Sequence, residues 1–224
     1  MNTEENLNKG NIFINEAVAQ YIRNLENDPK EQKNLRLIAS KIKNTVHEIN
    51  IEKETGTLNY SNLKENFQRL IAIDLKESPH TSKITCSKGC SFCCHIKVDT
   101  DILEATAIYN YCKDNNIEID WDYVSKQTDS GHDEHKWYKD KALRKCVFLS
   151  QAGECRIYES RPFGCRKHYS IDDPNKCNTD NGLGTFAKPL LINAEVMCIS
   201  LANSTIESGS LPEMLQKAKQ NDIK

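Results

Sequence analysis

The sequence predicts a mainly α-helical protein, in which a helical N-terminal layer (residues 1–82) precedes a small, irregular, cysteine-rich domain (residues 83–224) with a short β-hairpin. Two observations predict this organisation. Residues 1–85 contain no cysteine, whereas all ten cysteines lie between Cys86 and Cys198. Upstream of Cys86, apolar residues recur with the 3.6-residue period of amphipathic helices. The change in composition therefore marks the predicted boundary.

The apolar repeat of the first part predicts three helices, near residues 13–26, 31–49 and 60–76. Pro29 separates the first helix from the second, because proline is disfavoured inside a helix and restricts the residue before it. The apolar faces of these helices fit a packing layer. The alternative is an arm that docks a protein substrate or partner.

The charge balance excludes two classes of partner. The chain has 224 residues with 30 basic and 32 acidic side chains, a formal net charge of −2. We therefore expect no nucleic-acid partner and no membrane partner, since both need a basic patch or a long apolar run. The N-terminus lacks the features of a secretory signal, so we expect a cytoplasmic protein. In that reducing compartment, cysteines are more often metal ligands or redox groups than disulfides.

Downstream of the boundary, Asp101 is placed to cap a helix over Ile102–Cys112. Residues 126–141 are polar and contain His132 and His135, which predicts an exposed loop. The apolar segments Cys146–Leu149 and Cys155–Tyr158 flank a Gly-containing turn and predict the β-hairpin. Residues 190–204 fit either a buried helix or a strand.

The stretch CSKGCSFCC, residues 86–94, places four thiols within nine residues. Gly89 permits the tight backbone that would bring these thiols together. Ionised thiols this close repel one another unless a cation neutralises them, so the stretch predicts a metal site. Its first three cysteines have the C-x3-C-x2-C spacing with which radical S-adenosylmethionine enzymes hold a [4Fe-4S] cluster, but the adjacent Cys94 does not belong to that pattern.

Further cysteines complete the predicted site. Two flank the hairpin turn, a third follows the second strand, and a fourth follows another turn. The candidate metal ligands are Cys86, Cys90, Cys93, Cys94, Cys146, Cys155, Cys165 and Cys177. Eight thiols suffice for two four-coordinate metals, or for one cluster with spare thiols. Cys112 and Cys198 are interpreted as small buried hydrophobes, since both lie in apolar segments.

The first stretch, followed by CVFLSQAGECRIYESRPFGCR, resembles the CxxCxxCC family of zinc- or iron-chelating domains, which includes YkgJ-like proteins and a flagellin lysine N-methylase. The resemblance spans roughly residues 84–185, including Gly182–Gly184. Arg161 and Arg166 match the family pattern, which implies that they donate to thiolate sulfurs or to an anionic group of a cofactor or substrate. The alternative for both is an ion pair with Glu159 or Asp172.

Three functions remain open on this basis. The first is a metal-binding protein with an iron–sulfur cluster or zinc or iron, and the iron–sulfur cluster is favoured because zinc sites usually show paired C-x-x-C arms. The second is an S-adenosylmethionine-dependent protein lysine methyltransferase of the radical type. One helix, a polar loop and a hairpin follow the motif, however, in place of the βα units expected of such an enzyme. The third is a structural zinc module that binds a protein.

Overall fold

The structure, a computed structural model, describes residues 29–87, 89–129, 140–180 and 187–223. The helix predicted near residues 13–26, the histidines His132 and His135, and Gly182–Gly184 lie outside the described residues. Seven α-helices lie within them: α1 (Pro29–Glu54), α2 (Tyr60–Glu77), α3 (Ile102–Asp114), α4 (Trp121–Asp129), α5 (Phe163–Arg166), α6 (Ile192–Ala202) and α7 (Leu211–Asp222). The predicted mainly helical class is confirmed.

The remaining regular structure is short. Strands β1 (Asp99–Asp101) and β2 (Ser208–Ser210) form an antiparallel pair, in which Thr100 lies opposite Gly209. Four 3₁₀ turns complete the described elements: Thr81–Lys83, Phe92–His95, Tyr158–Ser160 and Pro174–Cys177. None of the helices in the described ranges combines the length and the apolar character that crossing a lipid bilayer requires.

The chain forms two compact units. Among the described residues, the first comprises residues 29–71 together with Ile192–Ile206, and the second comprises those of Ala72–Leu191 and those from Glu207 onward. The sequence left open whether residues 190–204 form a helix or a strand. Most of this segment is helix α6, which belongs to the first unit. The division of the sequence between residues 82 and 83 stays a prediction.

The core of the first unit lies between α1 and α6. Leu35 and Ile42 on α1 pack against Val196 and Ile199 on α6, and all four side chains are buried. The α1 residues are members of the predicted apolar repeat, since positions seven apart fall on one helix face. After α6, the side-chain oxygen of Asn50 accepts the backbone N–H of Thr205 at 2.8 Å.

The core of the second unit is formed by α3, α4, α7 and the segment that carries the second set of cysteines. Its buried members are Ile108, Cys112, Ile119, Val124, Phe148, Ile157, Leu211 and Leu215. Cys112 is 2% exposed, which confirms its interpretation as a small core residue. Cys198, on α6 of the first unit, is only half-buried.

The loop predicted over residues 126–141 is wrong at its start, because α4 continues to Asp129. Asp120 caps this helix by accepting the N–H of Tyr123 at 2.9 Å. Gln127 is buried although it is polar, since its amide donates to the carbonyls of Leu143 (2.7 Å) and Lys145 (2.9 Å). Sequence periodicity cannot anticipate a polar residue that is buried through such distant partners.

A buried carboxylate connects α3 to α5. The predicted cap is confirmed, because Asp101 accepts the N–H of Glu104 at 2.8 Å. The Glu104 carboxylate in turn accepts the Thr100 hydroxyl at 2.9 Å and the N–H of Phe163, the first residue of α5, at 2.6 Å. Glu104 therefore holds the short helix that carries Cys165 against the N-terminus of α3.

Replacing this carboxylate is expected to change how stability depends on pH. Burial, followed by the charge of Asp101, raises the pKa of Glu104 to about 8, whereas an unfolded glutamate ionises near pH ~4.3. Between these values the folded state holds a proton that the unfolded state has lost, so the unfolding free energy falls as pH rises. Glu104→Gln removes this effect. We expect the stability of the variant, relative to wild type, to rise by on the order of a few kcal/mol between about pH 5 and about pH 8.

Urea unfolding at the two pH values measures this difference. Glu118→Gln is the matched control, because it removes an exposed carboxylate from the same unit. Parallel pH profiles for Glu104→Gln and wild type would contradict the prediction.

Candidate metal centre

The first cysteine stretch is shaped by two consecutive turns. Gly89 adopts a left-handed conformation (φ 87°), which favours glycine, and the N–H of Cys90 donates to the carbonyl of Ser87 at 3.1 Å. A 3₁₀ turn over Phe92–His95 follows, in which the N–H of Cys94 donates to the carbonyl of Ser91 at 2.9 Å. The backbone therefore folds back on itself and carries the thiols on a compact segment.

The second cysteine segment is joined directly to the first. The N–H of Cys146 donates to the carbonyl of Cys94 at 2.7 Å. The predicted hairpin is reduced to a tight turn closed by one antiparallel bridge between Leu149 and Cys155, and the segments Cys146–Leu149 and Cys155–Tyr158 do not form strands. Gly153 in this turn has a positive φ of 76°. A Cβ at Gly153 would lie 3.7 Å from the carbonyl oxygen of Gly89, so the two turns are in contact.

The last two candidate ligands lie on separate short elements. Cys165 is part of α5, and Cys177 ends the 3₁₀ turn Pro174–Cys177. Asp173 caps that turn by accepting the N–H of Asn175 at 2.9 Å. The turn Pro174–Cys177 packs against the turn Phe92–His95. The last candidate ligand thus lies beside the first cysteine stretch.

Ser170 connects two cysteines that are distant in sequence. Its N–H donates to the Sγ of Cys86 at 3.2 Å, and its side chain lowers the pKa of the Cys177 thiol against the larger effect of burial. Ser170 is 1% exposed, and its carbonyl accepts the N–H of Thr85 at 2.9 Å. The sequence analysis did not identify this residue. The sequence signal that could have identified Ser170 is weak: a serine is typical of a local turn, and here the Ser170 hydroxyl accepts the N–H of Asp172 at 3.2 Å.

Three thiols interact electrostatically around the hairpin turn. Burial raises the pKa of Cys165 well above its ordinary value, and negative charge on Cys146, Cys93 and Cys155 raises it further. Burial also raises the pKa of Cys146 to about 11, with smaller contributions from the charges of Cys155 and Cys93. We call Cys146, Cys155 and Cys165 the Cys165 group.

A second set of thiols lies around Ser170. Burial raises the pKa of both Cys86 and Cys177. The charges of Cys93 and Cys90 raise the pKa of Cys86 further, and the charges of Cys86, Cys90 and Cys93 raise that of Cys177. We call Cys86, Cys90 and Cys177 the Cys177 group.

Cys93 interacts with both groups. A hydrogen bond with the Cys94 thiol, followed by burial, raises the pKa of Cys93. Each thiol would lose its proton far more readily beside a cation than beside the other thiols. Without a metal, the net effect of the surrounding protein is therefore to raise the pKa of six of these thiols: Cys86, Cys93, Cys146, Cys155, Cys165 and Cys177.

The two arginines have different surroundings. The guanidinium of Arg161 lies 3.8 Å from the centre of the Tyr158 ring, and its buried Nε has no hydrogen-bond partner. Against the larger effect of burial, its positive charge lowers the pKa of Cys155 and Cys165. Arg161 is thus a cation near the Cys165 group, and Arg156 is a second one, because its charge lowers the pKa of Cys146 and Cys155.

Arg166 instead holds the loop that precedes it. Its Nε donates to the carbonyl of Arg161 at 2.8 Å, and its terminal nitrogen donates to the carbonyl of Glu159 at 2.5 Å. These bonds use backbone oxygens and not the carboxylate of Glu159. Asp172, the other predicted ion-pair partner, pairs with Lys176 at 2.8 Å. Arg166 therefore stabilises the backbone conformation of the segment from Glu159 to Arg161.

The donor set fits the metals that the sequence predicts. All ten cysteines are free thiols, and thiolates are the ligands that zinc and iron–sulfur clusters share. In the described part of the chain, no three Cys, His, Asp or Glu side chains are already arranged as a formed metal site. Binding would therefore bring the ligand thiols of a centre closer together than they lie in this structure.

Comparison with known proteins adds one finding. No curated protein and no solved structure matches the chain significantly. Residues 85–183 match the model of the CxxCxxCC family, which is described as a "putative zinc- or iron-chelating domain". The match includes all eight candidate cysteines, so this region of the chain is similar to CxxCxxCC domains.

Proposed function

We propose that this protein binds an iron–sulfur cluster, in preference to zinc, through thiolates drawn from the eight cysteines of its CxxCxxCC domain. The observation that carries the proposal is that backbone contacts bring three cysteine-bearing segments together: the N–H of Cys146 donates to the carbonyl of Cys94 at 2.7 Å, and the turn Pro174–Cys177 packs against the turn Phe92–His95. Four thiolates at one centre bring four negative charges. The positive charges of Arg156 and Arg161 oppose only part of that, so a metal cation supplies the balance.

The preference for an iron–sulfur cluster rests on the ligand spacing. Thiolates suit both zinc and iron–sulfur clusters, and both take four cysteines per centre. The C-x3-C-x2-C-C spacing lacks the paired C-x-x-C arms typical of zinc sites. A structural zinc module is therefore the outcome that would overturn this part of the proposal.

The methyltransferase alternative is supported by the spacing of the first three cysteines. The motif is followed by β1 and α3, and β1 pairs antiparallel with β2. This arrangement differs from the consecutive βα units expected around the cluster of a radical enzyme. Reductive cleavage of S-adenosylmethionine by the protein with its iron–sulfur cluster bound would support the methyltransferase function.

The metal itself is tested by anaerobic purification, followed by measurement of metal content, acid-labile sulfide and the visible spectrum. We expect iron and sulfide in a brown protein. Cys90→Ser should hold clearly less metal than wild type, because it removes a proposed ligand. Cys112→Ser is the matched control and should retain the metal, because Cys112 lies in the apolar core of the same unit. Colourless protein with stoichiometric zinc would refute the iron–sulfur cluster, and equal metal content in the two variants would refute the ligand assignment.

A further inference from the structure

The backbone divides the candidate ligands into two sets. In the Cys177 group, Ser170 interacts with two cysteines that are far apart in sequence. Its N–H donates to the Sγ of Cys86, and its side chain lowers the pKa of Cys177. The turn that ends at Cys177 also packs against the turn Phe92–His95, which follows Cys90. These contacts place Cys177 beside the first cysteine stretch, which carries Cys86 and Cys90.

The Cys165 group is assembled by other contacts. The N–H of Leu149 donates to the carbonyl of Cys146 at 2.9 Å, and Leu149 also forms the bridge with Cys155. Cys146 and Cys155 both pack against the core of the second unit. The third member, Cys165, is carried by α5, which Glu104 fixes through the N–H of Phe163.

The adjacent residues Cys93 and Cys94 lie where the two sets meet. Their 3₁₀ turn packs against the turn that holds Cys177, and the carbonyl of Cys94 accepts the N–H of Cys146 at 2.7 Å. Each group contributes three cysteines, one fewer than a four-thiolate centre needs. Cys93 and Cys94 can complete both.

We propose that the domain holds two separate four-thiolate metal centres, one formed by the Cys177 group and the other by the Cys165 group, each completed by one member of the Cys93–Cys94 pair. This inference rests on the proposed function. At each centre a thiol releases its proton to solvent as its sulfur–metal bond forms. All eight candidate cysteines are then ligands, and neither centre needs a histidine.

The two centres have unlike surroundings. The Cys177 group receives a hydrogen bond from the N–H of Ser170 to Cys86, whereas the guanidinium of Arg161 lies near the Cys165 group and lowers the pKa of Cys165. Hydrogen bonds and charges around the sulfurs tune a thiolate-bound metal. Variants in the two groups should therefore be separable by experiment.

The test compares Cys177→Ser, Cys165→Ser and the double variant with wild type and with the Cys112→Ser control. Native mass spectrometry of the anaerobically purified proteins counts the centres in each chain. We expect two centres in wild type and in the control, one in each single variant, and none in the double variant. Far-UV circular dichroism verifies that each variant keeps its helices.

Alkylation of the loaded proteins identifies which centre is lost. In Cys177→Ser, iodoacetamide should modify Cys86 and Cys90 at least about tenfold faster than in wild type, while the Cys165 group stays protected. Cys165→Ser should give the reverse pattern. A wild-type protein with one centre, or loss of all metal in either single variant, would overturn the two-centre inference and leave metal binding intact. A wild-type protein without metal would overturn the proposed function itself.

Discussion

Removing the bound metal is expected to open the cysteine-bearing segments of the second unit while α1 stays folded. Between Ile84 and Asp180, the cysteines outside α3 are held by 3₁₀ turns, the four-residue helix α5 and isolated hydrogen bonds. Structural zinc in small domains contributes roughly 10–16 kcal/mol of apparent binding free energy at neutral pH. A comparable contribution here would exceed what these short elements supply on their own.

Hydrogen exchange before and after anaerobic chelation measures this effect. The N–H groups of Cys90, Cys94 and Ser170 are hydrogen-bonded within the site, and we expect their exchange to accelerate by roughly a hundredfold or more. The amides of α1 serve as the internal control, because its core with α6 contains none of the candidate ligands. Unchanged exchange at the three site amides after complete metal removal would contradict the prediction.

Phe148→Ala is expected to destabilise the protein by about 3–5 kcal/mol, the usual cost of removing a fully buried aromatic ring. Phe148 is 0% exposed and belongs to the core shared by α3, α4 and α7. Its carbonyl accepts the N–H of Arg156 at 2.9 Å, in the turn that presents Cys146 and Cys155. The cavity would therefore weaken both the helical core and the support of the Cys165 group.

Urea unfolding of the loaded protein gives this difference from the transition midpoint. Ile223→Ala is the control, since that side chain is 74% exposed at the end of α7 and should cost less than about 0.5 kcal/mol. A loss below about 1 kcal/mol in Phe148→Ala would mean that the ring does not organise this core.

Local patterns predicted the elements that carry their own signal. The apolar repeat from Leu35 to Ile49 gave α1 to within a few residues, and Asp101 marked the start of α3. Elements that depend on distant partners were missed. Helix α4 is held by carbonyls of Leu143 and Lys145, and the strand pair joins residues more than a hundred positions apart. Neither the helix nor the strand pair produces a periodic pattern of apolar residues in the sequence.

The same contrast holds for the site. The eight cysteines were candidates from spacing alone, because thiolates at such density imply a metal. Their separation into two groups depends on contacts that no local pattern contains. Ser170 joins Cys86 to Cys177, and the carbonyl of Cys94 joins the first stretch to Cys146.

The hydrogen bond from Ser170 to Cys86 also bears on when the metal ligands can come together during translation of the chain. The two residues are 84 positions apart. At a translation rate of about 5–20 residues per second, Ser170 leaves the ribosome roughly 4 to 17 s after Cys86. During that interval the first four thiols lack their distant partners, so a metal ion acquired early would be bound by thiols that the proposed final arrangement divides between two centres. The last ligand of the Cys177 group follows Ser170 by seven residues, so that centre can be completed only after both segments have been made.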